Sequence, residues 1–307
     1  MLFIVGNLDT SFAFYHDALG MEVVMQPTTY SPNAMLMGLF NAPPGAQSRW
    51  TTVRPPGSPL KIDLIEYKDV DRKPARPRFQ DPGAVSLNLF VRDIDSLIAR
   101  LRETNARILS TGGQAVHVGN PENGSREIVV QDPDGFFIGI TQRAPLPENT
   151  APATSNVIGE DLEFVVADID QAIRIYQDVL GFKYPPSKFT LSVPINDGRG
   201  TPGAQSRTTQ ARVPGRTGNP LFSNLVFTEY KDIDRKPVHT RVQDPGTATL
   251  SMNVTDLDAT VKALQAAGVE VISKDGAPVG KASRYLVLRD PNNIYLELYQ
   301  NSPANKK

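Results

Sequence analysis

The sequence predicts an α+β protein built from four similar modules of a strand, a helix and about three further strands, paired into two domains. Three observations predict it. First, long segments recur: Glu66 to Pro74 returns as Glu229 to Pro237 and Gln80 to Gly83 as Gln243 to Gly246, both 163 residues later, while Pro44 to Arg49 returns as Pro202 to Arg207 at an offset of 158. Fixed-offset repetition of this kind marks a tandem duplication. Second, each half divides again, because Asn7, Asp93, Asp168 and Asp256 each follow a short apolar run and open an Asx-apolar-Asp triplet. Third, the apolar period changes from 3.6 after these triplets to 2 in the flanking segments.

The four triplets are helix starts. An Asn or Asp oxygen accepts a hydrogen bond from a first-turn amide that has no partner within the helix, and the second acid complements the positive end of the helix dipole. Leu8, Phe12, Tyr15 and Leu19 then form one helical stripe, matched by Ile169, Ile173, Tyr176 and Leu180, by Ile94, Ile98 and Leu101, and by Leu257, Val261 and Leu264. Gly20, Gly181 and Gly268 stand where a left-handed residue closes each helix, with Asn105 in that place in the second module. Alternation in Ile294, Leu296 and Leu298 against Tyr295, Glu297 and Tyr299 predicts a strand with two unlike faces. Asp132 to Gly135 and Asp290 to Asn293 are turn sequences before the final strand of each half. The duplication and the Pro, Thr and Ala-rich stretch between the halves place one domain at 1–144, a linker at 145–157 and a second domain at 158–302.

Composition removes several functions. Lysine plus arginine is 32 against 33 acids, so the chain carries no basic field for a nucleic-acid partner. The absence of cysteine excludes disulfides, a thiol nucleophile, cysteine-held zinc and iron–sulfur clusters. No apolar run approaches the length needed to span a bilayer, and no membrane partner is expected. Nucleotide-binding glycine loops and the Gly-x-Ser-x-Gly elbow are also missing. Met1 falls inside what should be the first strand, so an upstream segment, which could include a secretory signal, is one reading of the start. The default compartment is the cytoplasm, with a secreted or periplasmic location if such a signal precedes this chain.

Asn7 to Gly20, Asp168 to Gly181 and the endings Asp132 to Gly139 and Asp290 to Glu297 resemble the vicinal oxygen chelate superfamily of glyoxalases, bleomycin-resistance proteins and extradiol dioxygenases. The resemblance implies paired βαβββ modules whose sheets curl into open cups around a cavity. It also implies metal-ligand positions seven residues before each helix cap and on a later strand of each module. The first of these precedes Met1; the others fall on Ser86, Asp161 and Thr249, then on Asp63, Gly139, Val226 and Glu297. No imidazole stands at any of those within the chain, and His16, His117 and His239 share no spacing that would aim two at one ion. Asp161 and Glu297 remain as candidate ligands for a divalent metal in the second domain, although two carboxylates are a poor donor set and the count favours no cofactor.

Glu297, on a face with Tyr295 and Tyr299, is the candidate general base. Tyr295, Tyr299 and Phe137 are candidate substrate contacts, with Arg49 and Arg207 at the cavity rim. The repeated Glu-Tyr-Lys-Asp-x-Asp-Arg-Lys-Pro segment, including Arg72 and Arg235, reads as an architectural crossover. Two functions follow from the resemblance: a glyoxalase or dioxygenase-type enzyme working around Asp161 and Glu297, or a metal-free protein that binds or sequesters a small molecule. The expected partner is that small molecule, with the chain a two-domain monomer or a homodimer.

Overall fold

The computed structural model describes residues 1–104, 106–120, 122–280 and 283–302, without the Ser223 side chain. The first module comprises β1 (Leu2–Val5), α1 (Leu8–Ala13) with a π-helical turn over Phe14–Ala18, β2 (Glu22–Met25), β3 (Ser31–Pro32), α2 (Ala34–Phe40), β4 (Gln47–Arg54) and β5 (Ile62–Lys68). The second comprises β6 (Val85–Val91), α3 (Ile94–Arg102), β7 (Arg107–Ile108), β8 (Val116–Val118), β9 (Ser125–Gln131) and β10 (Phe137–Arg143). In the third are β11 (Val157–Val165), α4 (Ile169–Asp178), β12 (Thr190–Leu191), α5 (Val193–Arg199), β13 (Gln205–Arg212) and β14 (Phe222–Lys231). The fourth has β15 (Ala248–Asn253), α6 (Leu257–Ala266), β16 (Glu270–Val271), β17 (Ser283–Arg289) and β18 (Tyr295–Asn301).

The local chemistry expected of the helices is present. Asn7 accepts from the amide of Thr10, Asp93 from Asp95 and Ser96, Asp168 from Asp170 and Gln171, and Asp256 from Ala259. Gly20, Gly181 and Gly268 have φ of 75°, 78° and 88°, where a side chain would be strained. The expectation at Asn105 lies outside the described residues. At the final turns, Asp132 Oδ1 accepts from three successive amides and its Oδ2 from the Tyr15 hydroxyl, and Asp290 is placed in the same way against Tyr176.

The modules pair across the halves of the sequence. One sheet runs β16-β17-β18-β15-β1-β5-β4-β2, with β3 on β4; the other runs β12-β13-β14-β11-β6-β10-β9-β7, with β8 on β9. The first cup therefore joins modules one and four through β1 and β15, where Leu2 lies opposite Thr249. Modules two and three form the second cup through β6 and β11, from Val157 opposite Val91 to Phe164 opposite Val85. Pairing of modules in sequence order within 1–144 and within 158–302 does not describe the sheets. The reason is elementary: the open edge of a module's first strand needs another first strand to satisfy its amides and carbonyls, and repeated sequence does not say which copy supplies it. Segment 145–157 accordingly connects two strands of one sheet. It is pinned by Arg92, which donates to Asn149 Oδ1 and to the carbonyl of Ser155.

Strand alternation sends Phe3, Val5, Leu162 and Phe164 into the large core beneath the helices and turns Leu2, Ile4, Asp161 and Glu163 into the cups. The repeated crossovers clasp one another reciprocally. Arg78 reaches Asp81 and Asp234 while Arg241 reaches Asp244 and Asp71; the Lys236 amide donates to Asp81 and the Lys73 amide to Asp244. Arg72 and Arg235 donate to backbone carbonyls next to the first strands, in keeping with an architectural role for this segment.

Candidate functional site

The duplication supplies an internal comparison between the two cups. In the first, Leu2, Phe40, Ile65 and Tyr67 pack with Leu39, Tyr295, Val287 and Trp50 in an apolar cluster. Counting from the helix caps, from the left-handed residue closing α2 or α5, and from the repeated Glu-Tyr-Lys, the same four places in the second cup hold Glu163, Arg199, Thr228 and Tyr230. Trp50 is likewise replaced by Thr208. The result is an open cavity of about 260 Å³, lined among others by Phe79, Asn88, Phe90, Glu127, Arg143, Asp161, Glu163, Arg199 and Gln210.

At its base Glu163, only 1% exposed, accepts from Thr228 Oγ1 at 2.7 Å, Asn88 Nδ2 at 2.9 Å and Arg199 Nη1 at 3.1 Å. Arg199 also donates to the Tyr230 hydroxyl at 3.0 Å and lies 5.1 Å from the centre of the Phe79 ring. Burial works against the guanidinium charge, but the Glu163 carboxylate beside it raises its affinity for the proton above the ordinary value. Burial also raises the Tyr230 hydroxyl, which stays protonated. In the first cup the matching Tyr67 hydroxyl has no hydrogen-bond partner among the described residues, because Phe40 stands where Arg199 stands in its twin. Higher in the wall, Asp161 accepts from Asn224 Nδ2 at 2.7 Å, and burial pushes its carboxyl up to about 6. Gly139 faces Asn88 so closely that any Cβ there would collide with the Asn88 side chain.

Several residues singled out from sequence lie elsewhere. Asp161 belongs to the second cup and Glu297 to the first, so they cannot share an ion; the exchange of modules separates them. Glu297 instead lies near Asp63, and burial followed by that neighbour's charge raises its carboxyl. Tyr295 and Tyr299 accompany Glu297 in the first cup: Tyr295 is buried with its hydroxyl on the Thr240 carbonyl, and Tyr299 stacks on Tyr285 at 5.6 Å. Phe137 is in the second cup, fully buried beneath Phe79. Arg49 and Arg207 are not at a cavity rim. Their strands turn them to the helix side, where Arg49 binds Glu66 and Asp9 and Arg207 binds Glu229 and Asp170. Glu66 and Glu229 in turn accept the first amides of α1 and α4, so these arginines fasten helix starts to strands. His117 and His239 are exposed, and His16 Nδ1 lies 2.8 Å from the Met21 carbonyl.

In the second cup the donor set does not fit a chelated divalent metal. The second cup offers Ser86, Gly139, Asp161 and Val226 at the inferred positions, and Glu163 beside them is committed to Arg199. Among the described residues no three His, Cys, Asp or Glu side chains converge on one point. Sequence reasoning missed Glu163, Arg199, Thr228 and Tyr230. The available signal was the divergence of three duplicated positions at fixed offsets, Leu2 to Glu163, Phe40 to Arg199 and Ile65 to Thr228, with the tyrosine kept at 67 and 230.

Two curled mixed sheets, each closed at its seam by first strands from different halves, define a protein with paired βαβββ cups. The chain belongs to the Glyoxalase/Bleomycin resistance protein/Dioxygenase superfamily, whose profile matches residues 1–140 and 160–298. Glyoxalase I from Zea mays superposes with a TM-score of 0.62 over 98% of this chain and 90% of that one; at 16% identity the likeness concerns the fold. Lactoylglutathione lyase GLX1 of Arabidopsis thaliana is 22% identical over 204 residues, covering 63% of this chain and 59% of that protein. A second Arabidopsis thaliana protein, called "Probable lactoylglutathione lyase, chloroplastic", is also 22% identical, with 48% of its length spanned. The chain thus spans about half to three fifths of these curated relatives. Among the described residues no helix is long and apolar enough to cross a membrane.

Proposed function

We propose that this protein binds a small molecule in the second cup and holds it with hydrogen-bonding side chains, without a chelated metal. One observation carries the reading. The first cup closes the same backbone plan with Leu2, Phe40, Ile65 and Tyr67, so the fold has no need of the buried Glu163–Arg199–Thr228–Tyr230 network. A buried ion pair is no more stabilising than well-packed apolar residues of similar volume. Its presence in one cup only, beside an open cavity, is the mark of a binding site. The cavity is small, which restricts the occupant to a compact molecule.

The test is a fragment screen read by heteronuclear NMR on the full chain, together with elemental analysis of the purified protein. Shifts clustered at Gly139, Thr141 and Gln210 with substoichiometric metal support the reading; stoichiometric metal that tracks with ligand binding overturns it. A second reading, a glyoxalase-type lyase or a dioxygenase, draws on the similarity to lactoylglutathione lyases and on Glu297 with Asp63 in the first cup. Lyase turnover that disappears in Glu297→Ala and survives in Arg199→Ala would favour it.

A further inference from the structure

Resting on the binding role of the second cup, the geometry points to a class of ligand: we infer that the cavity selects a compact molecule carrying a protonated amine, which pairs with Asp161. The argument is one of charge placement around a single void. Five charged side chains line it, namely Glu127, Asp161, Glu163, Arg143 and Arg199. Glu163 and Arg199 neutralise each other at 3.1 Å, and the remaining Glu163 contacts are filled by Asn88 and Thr228. Arg143 is exposed to solvent and lies 4.8 Å from the centre of the Phe90 ring. Glu127 forms no ion pair among the described residues, but it is only partly buried, accepts from the Ser125 hydroxyl at 2.6 Å and faces the charge of Arg199.

Asp161, 6% exposed, is the deeper of the two acids without an ion pair among the described residues: its hydrogen bond comes from the neutral amide of Asn224, and the charge of Arg143 acts on it only from beyond contact distance. A carboxylate in such a place is undersolvated, and a cation entering the cavity is the group that compensates it. A carboxylate ligand would meet two unpaired acids, Asp161 and Glu127, with only the solvent-facing Arg143 to offset them. Gly139, opposite in the wall, adds no side chain of its own, and Phe79 and Phe90 supply apolar surface for the body of the ligand.

Benzylammonium, benzyl alcohol and benzoate make a matched probe set, alike in size and different in charge. Titrated by NMR into the full chain at pH 7.5 and low salt, benzylammonium should bind at least tenfold more tightly than the other two. Asp161→Asn, checked by its NMR spectrum to keep the wild-type fold, should bring the ammonium and the alcohol to equal affinity. Equal or tighter binding of the alcohol or benzoate to the wild-type protein overturns the ligand class while leaving the binding role intact. Discrimination that survives in Asp161→Asn overturns the assignment to Asp161. Failure of all three probes to shift Ser125, Gly139 or Thr141 overturns the binding role and the ligand class with it.

Discussion

Rebuilding the second cup in the image of the first tests whether its polar network serves function or stability. The variant is Glu163→Leu, Arg199→Phe and Thr228→Ile together, which installs the residues found at positions 2, 40 and 65. Replacing a buried ion pair by apolar residues gains about 1 to 4 kcal/mol. Against this, the Tyr230 hydroxyl loses Arg199 and the Asn88 amide loses Glu163, at about 1 to 3 kcal/mol for each buried group left without a partner. These nearly cancel, so the triple variant should unfold in urea within about 2 kcal/mol of wild type. Arg199→Ala alone leaves the Glu163 carboxylate buried and uncompensated and should cost about 3 kcal/mol, the low end of the usual range because 19% of the arginine side chain is exposed. Both should lose ligand binding in the second cup. If the triple variant is as unstable as Arg199→Ala, the network is a structural requirement of this cup and the reasoning from its twin fails.

Further outcomes follow from individual contacts. Burial raises the folded Asp161 carboxyl to about 6, above its unfolded value, so ionising it opposes folding and stability falls as pH climbs from about 4 through 6. Asp161→Asn should remove that slope and raise stability by about 2 kcal/mol at pH 7.5 with no gain at pH 4, as measured by urea midpoints. Gly139→Ala should cost about 1 to 3 kcal/mol through collision with Asn88, and Asn88→Ala in the same chain should recover part of it. Arg207→Met leaves the largely buried Glu229 without its cation and should lower stability by about 2 kcal/mol while leaving binding in the second cup unchanged, which a residue at the rim of that cup would not do. Asp168→Ala removes the cap of α4 and should cost about 1 kcal/mol in a thermal or urea melt.

Much of the fold is legible along the chain because its signals are local. A cap such as Asp168 and the amides it accepts from, Asp170 and Gln171, are near neighbours in sequence; Gly20 and Gly181 close helices through their own backbone freedom; Asp132 organises a turn from its own loop. The site was less legible. Glu297 and Asp161 fit one expected ligand set by spacing, yet the sheets carry them into different cups. Arg49 and Arg207 begin strands near a repeated loop, but strand alternation and the acids Glu66 and Glu229 draw them to the helix side.

By itself the sequence determined four capped modules, their duplication and the absence of histidine at each inferred chelating position that lies within it. Only the tertiary structure decided which modules share a sheet, and hence that the Glu163, Arg199 and Tyr230 cluster of the third module meets Asn88 and a cavity wall of β6, β9 and β10 from the second. The physical reason is that caps and turns are satisfied within a few residues. A strand edge, by contrast, can be satisfied by any partner of matching shape and hydrogen-bonding pattern, and that choice is made by the packing of the whole chain.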